Sequence, residues 1–132
     1  MAQHSQGGPE ARTRLRRQAA WRLTERVTEE MANRLSALPV EVRTRGLTTA
    51  VAILVREGGV ENSRILRALA EWLGLQPFLK ELRLPQNADG SALLAALLDL
   101  RVPEGVVLEL AEEEALRFLG EAKLLARATK AY

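Results

Sequence analysis

Arginine is the chemistry-bearing residue this chain holds in quantity. Sixteen of its nineteen basic residues are arginine, and a guanidinium grips phosphate or carboxylate through two parallel hydrogen bonds. The placement is uneven. Up to Arg56 there are ten Arg against five Glu, whereas from Glu57 onward nine basic residues meet twelve acidic ones, within a net charge of +2. Arg12, Arg14, Arg16, Arg17, Arg22 and Arg26 crowd one stretch with only Glu10 and Glu25 to offset them. Such a basic rod draws phosphates, and a single-stranded nucleic acid follows it without sequence preference. A G- and C-rich genome accounts for arginine abundance equally well, so the argument rests on placement. Trp21, between Arg17 and Arg22, is expected first in the core; the alternatives are stacking on a base or on a partner's apolar surface. A second basic pair, Arg43 and Arg45, flanks Thr44 just before Gly46, on an expected turn between helices, where either solubility or function explains it.

The other reactive groups are few. The one histidine, His4, falls in a glycine-rich opening too loose to hold a catalytic group in place. No cysteine is present, which removes disulfides, thiolate ligands and thiol nucleophiles and fits a reducing, cytoplasmic setting. Asp89 and Asp99 bracket a short helix and stand about 15 Å apart by helical rise, too far to share a metal unaided. Ser36, Ser63 and Ser91 fall at helix ends, where capping explains them, and no nucleophile elbow or phosphate-cradling glycine loop occurs. Glu109, Glu112, Glu113 and Glu114 form the densest acidic cluster. Glu109 and Glu113 share a side of the last helix, but a solvated face is the expected reading, because hard cations need more ligands than one helix face offers. The expectation is a non-enzyme with no metal and no cofactor.

The elements that must carry the arginines are helical. With 132 residues and 47% hydrophobic content, one domain with one core is expected. Residues 1–10 read as a flexible lead-in and 11–132 as the domain. No apolar run reaches the roughly 18 residues of a membrane span, and Met1 to Ser5 lack the regions of a signal peptide. No Pro or Gly interrupts the chain between Pro9 and Pro39, which predicts one long helix from about Ala11 to Ala37, its stripe Leu15, Ala19, Leu23, Val27, Met31 and Leu35 spiralling slowly. Pro39 then opens a turn or short helix, Gly46 lets backbones approach, and a buried helix runs to about Glu57. Asn62 or Ser63 caps a helix ending at Gly74, one or two turns follow from Pro77 to Leu84, and Asp89-Gly90-Ser91 starts a compact helix to Leu100. Pro103 closes the next turn. A second long helix spans about Gly105 to Ala131 on Leu108, Ala111, Ala115, Leu119, Ala122 and Ala126, with Gly120 expected at a close helix crossing. The fold class is therefore all-α, a single-domain helical bundle with long first and last helices and several shorter ones between.

Leu38-Pro39, Val42-Arg43-Thr44 and Gly46-Leu47, followed by a hydrophobic helix ending near Arg56, resemble the central motif of the small subunit of Cmr-type (type III-B) CRISPR effector complexes. Leu69 to Trp72-Leu73, Glu114-Ala115-Leu116, Leu119 and Lys123-Leu124-Leu125-Ala126 are similar to that family's second half. The resemblance spans about residues 12–128 and departs where Arg45 replaces an asparagine and Glu121 a tryptophan. It implies a helical, non-catalytic subunit present in several copies, stacked as a minor filament beside the guide-carrying backbone. Its partners would be the other effector subunits, copies of itself, and single-stranded target RNA or the guide–target duplex. By matching segment it points to Arg43 and Lys123 as RNA contacts; Arg12, Arg16, Arg17 and Arg22 come from the charge argument, and Arg45 from the basic pair it forms with Arg43. The related Csm-type small subunit and a helical protein–protein adaptor are the alternatives, with an enzyme completed by a partner chain behind them.

Overall fold

Breakers and caps divide the chain into helices, and in the computed structural model, which describes residues 8–100 and 105–129, nearly all of it is helix with no strand among the described residues. The order is α1 (Pro9–Thr24), α2 (Glu29–Arg45), α3 (Leu47–Glu57), α4 (Val60–Gly74), a short 3-10 helix (Pro77–Leu82), α5 (Gly90–Leu98) and α6 (Gly105–Ala128). The all-α expectation holds. Most of the expected lead-in, with His4, the turn expected at Pro103 and the expected extension of the last helix to Ala131 lie outside the described residues; α6 ends at Ala128, and Pro9 and Glu10 already belong to α1.

The long first helix is corrected to two. Arg26 leaves the helix after Thr24, and Thr28 takes an extended conformation and accepts a hydrogen bond from the Met31 amide at 3.1 Å, capping α2 above an acidic first turn of Glu29 and Glu30. A hydroxyl cap and early carboxylates both favour a helix start. The outgoing end of α1 is held by Arg64 of α4, whose guanidinium donates to the carbonyls of Leu23 and Arg26 at 3.2 and 3.1 Å. Pro39 does not open a turn; it is buried inside α2. It leaves the Leu35 carbonyl without its usual donor, a cost of about 3 kcal/mol that must be offset by burial, and Leu35, Leu38 and Val42 are all buried around it.

Gly46 closes α2 with φ +87°, a backbone that side chains avoid, and a Cβ there would stand 3.3 Å from Glu112 Oε2. That carboxylate instead accepts from the Leu47 amide at 2.9 Å, so α6 supplies the missing cap of α3. Asn62 does not cap α4. It is buried one turn in, its amide donating to the Gly58 carbonyl at 2.8 Å. Asp89 caps α5 through the Ala92 amide, as expected. Gly120 meets no neighbour; the tight crossing is at Gly90, where a Cβ would fall 2.6 Å from Leu66 Cδ1.

The core is a single cluster drawn from every helix, with Met31, Leu35, Leu47, Ile65, Leu73, Leu93 and Phe118 fully enclosed. Helix α6 is its spine: Ala111, Ala115, Leu119, Ala122 and Ala126 are buried as the periodicity predicts, and small alanines let α1 and α2 lie close along it. Residue pairs between α1 and α6 advance together, Arg16 with Glu114, Arg17 with Glu121 and Trp21 near Leu125, so the first and last helices run parallel.

Candidate nucleic-acid interface

Helix α1 has three faces, and they decide which of its arginines can meet an outside ligand. The inward face carries Arg16, Ala20, Leu23 and Thr24. Arg16 is buried, its Nε and Nη2 donating to the two oxygens of Glu114 at 2.6 and 3.1 Å. Trp72 Nε1 donates to the same carboxylate at 2.8 Å, and its ring stacks on Phe118 with centroids 6.3 Å apart. Three helices, α1, α4 and α6, are thereby tied through one buried charge pair whose oxygens are all engaged. Arg16 is therefore withdrawn from the expected RNA-binding set: its forked donors are used inside the protein.

On one flank of α1, toward α6, Arg14, Arg17, Trp21 and Arg22 line an open depression of about 630 Å³ together with Leu125, with Glu25 at its lip. The spacing i, i+3, i+7 and i+8 places these side chains along one side of the helix. Trp21 is 44% exposed, which corrects the expectation of burial in the core. Arg17 donates to both oxygens of Glu121 at 3.1 and 3.4 Å across an exposed gap. Hydrogen bonding to Glu121, and then its negative charge, hold the Arg17 guanidinium above its ordinary pKa. Among the described residues no ion pair engages Arg14 or Arg22, so two exposed cations flank an exposed indole.

The opposite flank differs in chemistry. Leu15, Ala19, Leu75, Pro77 and Phe78 line an apolar depression of about 550 Å³, rimmed by Arg12, Arg22 and Glu71. Leu15 is half exposed there instead of joining the core. Arg12 sits over the Phe78 ring, 5.0 Å from its centroid, a cation–π contact that still leaves its donors open.

The remaining expected contacts do not gather on this edge. Arg43 and Arg45 are exposed in the last turn of α2, where they also complement the helix dipole. Their corner is latched to α6 at Glu112, about 20 Å along that helix from Leu125 by helical rise. Lys123 is half-buried on α6 and two positions before Leu125, which turns it about 200° away from the α1 side. Thus Arg17 and Arg22 share one site, Arg22 also rims the other flank, where Arg12 lies, and Arg43, Arg45 and Lys123 lie elsewhere.

The acidic cluster of α6 also resolves residue by residue. Glu114 is buried beneath Arg16, Glu112 caps α3, Glu113 pairs with Arg117 at 2.6 Å, and Glu109 is exposed. The solvated-face reading therefore fits only Glu109 and Glu113. Sequence reasoning missed Glu114 and Glu112 because their partners are 98 and 65 positions away. One signal was available: Glu114 lies one residue before Ala115 and four before Phe118, inside the apolar stripe.

What the fold and this edge define is a small helical-bundle protein with one basic, indole-bearing flank. Comparison with curated proteins and with solved structures returned no match. A family model does match: that of the CRISPR-associated protein (Cas_Cmr5) family covers residues 12–129, and the chain belongs to that family. It is accordingly a Cmr-type CRISPR-associated small subunit and a component of an effector complex with other subunits, and the Csm-type alternative gives way. Among the described residues no helix is long and apolar enough to cross a membrane.

Proposed function

We propose that this chain is a non-catalytic subunit of a type III-B antiviral ribonucleoprotein in the cytoplasm, several copies stacking beside the guide-carrying backbone, and that the basic flank of α1 helps hold target RNA. The observation that carries the RNA reading is the pair of unengaged arginines, Arg14 and Arg22, set around exposed Trp21. The use of the carboxylates supports a non-catalytic role: Glu112 and Glu114 serve as cap and core ion pair, and Asp89 as a cap.

Salt titration of single-stranded RNA binding tests the reading, since each phosphate neutralised contributes about −0.7 to the slope of log affinity against log salt. Replacing Arg14 and Arg22 together by alanine is expected to flatten that slope by roughly 1.4 while leaving helicity intact. A flat slope in the unaltered protein would instead select the protein–protein adaptor. That second reading is favoured by the apolar flank of Leu15, Leu75 and Phe78, and the two flanks can serve both partners within one assembly.

A further inference from the structure

We propose that the depression between α1 and the end of α6 takes one unpaired RNA nucleotide, its base laid on the Trp21 indole and its neighbouring phosphates on Arg14 and Arg22. The inference rests on the RNA-holding reading above and narrows it to a single-stranded ligand contacted through a base.

Three features point the same way. Trp21 is the larger of the two exposed apolar side chains on α1, and leaving an indole in water is costly unless something covers it. Its surroundings are cationic: Arg14 stands two turns before it, about 10 Å by rise, and Arg22, the next residue, lines the same depression. Leu125 adds an apolar wall, so a flat aromatic ring finds dispersion contact below and positive charge at its edges. The depression, about 630 Å³ and open to solvent, falls within the roughly 300–1,000 Å³ typical of small-ligand sites, room enough for a nucleotide. Every base presents a π face, whereas bases within a duplex are already stacked on one another, so an indole platform favours unpaired RNA. The occupied arginine, Arg17, serves a different end. Bound to Glu121, it bridges α1 to α6, which leaves Arg14 and Arg22 as the phosphate contacts. An apolar protein segment is the competing occupant, but a site with two unpaired cations beside one carboxylate, Glu25, suits a polyanion better.

The test uses the full chain with a fluorescein-labelled oligouridylate of roughly 12 nucleotides, within the span a small single-strand-binding domain covers, and an RNA duplex of equal length. Trp21→Leu is expected to weaken oligouridylate binding about fivefold or more, the lower bound for losing one stacked base, with the salt slope and duplex binding unchanged. Trp21→Phe should recover part of the loss. Independently, oligouridylate should quench tryptophan emission in the unaltered protein but not in Trp21→Phe, whose remaining tryptophan, Trp72, is buried. If Trp21→Leu fails to fold, the quenching experiment decides alone. Unchanged affinity in Trp21→Leu, or quenching that survives in Trp21→Phe, overturns base stacking. In that case a loss of salt slope in Arg14→Gln/Arg22→Gln leaves RNA holding itself intact, whereas a slope that is flat from the start removes both. Intact oligouridylate binding by Trp21→Leu, together with lost capture by the other effector subunits, overturns the proposal in favour of a protein contact.

Discussion

Arg16 and Arg17 are neighbours in sequence, each gripping a glutamate of α6 with two hydrogen bonds, yet the pairs do opposite work. The Arg16 and Glu114 side chains are 8% and 1% exposed, those of Arg17 and Glu121 59% and 19%. In the first pair, water has been replaced by Phe118, Trp72 and the surrounding core, so removing either partner leaves an uncompensated charge in a poor solvent. In the second, water competes for both charges and the pair adds little to stability. Identical chemistry one residue apart therefore gives α1 an anchor on one face and a modest, breakable clasp beside the basic depression on the next.

Arg16→Met should produce the largest effect, a loss of about 3–5 kcal/mol in chemical denaturation, because Glu114 keeps only the Trp72 donor. A loss below about 1 kcal/mol would erase the distinction between the pairs. Trp72→Phe is next, at about 1–3 kcal/mol for one missing donor to a buried carboxylate. The double variant Arg16→Met/Glu114→Gln sharpens the point: a neutral acceptor still serves Trp72, so it should denature at higher denaturant than Arg16→Met alone. For the exposed pair the expected changes are functional. Glu121→Gln frees Arg17 beside the basic depression and should tighten RNA binding by roughly up to fivefold, the weight of one surface ion pair, an advantage that fades with added salt. Arg17→Ala should leave the denaturation midpoint unmoved, and a clear shift would mean that the clasp is structural after all.

Much of this was legible in the sequence wherever the deciding interaction was local. Asp89 with Gly90, the glycines after Glu57 and Leu73, and the alanine-rich stripe of α6 mark their elements within a few residues, because caps, breakers and periodicity act over one or two turns. The break between α1 and α2 has no glycine or proline. Thr28 followed by Glu29 and Glu30 is its signature, outweighed by an uninterrupted run of helix formers, and Arg64 helps to hold it from another helix. The reverse error occurred at Pro39, where tertiary burial overrides a breaker. In the candidate site, the arginine-rich stretch was readable as charge, but the burial of Arg16 and the exposure of Trp21 were not. Both depend on where α6 lies, and no pattern within α1 encodes a partner 98 positions away.

The parallel seating of α1 on α6 has a further consequence for how the molecule is made. A polypeptide leaves the ribosome N-terminal side first, yet the carboxylate that receives Arg16 of α1 lies 98 positions further along the chain. Until α6 has been translated, Arg16 and Arg17 lack the glutamates that hold them in the folded protein. A chain cut short before Glu114 would therefore lack the buried anchor that seats α1.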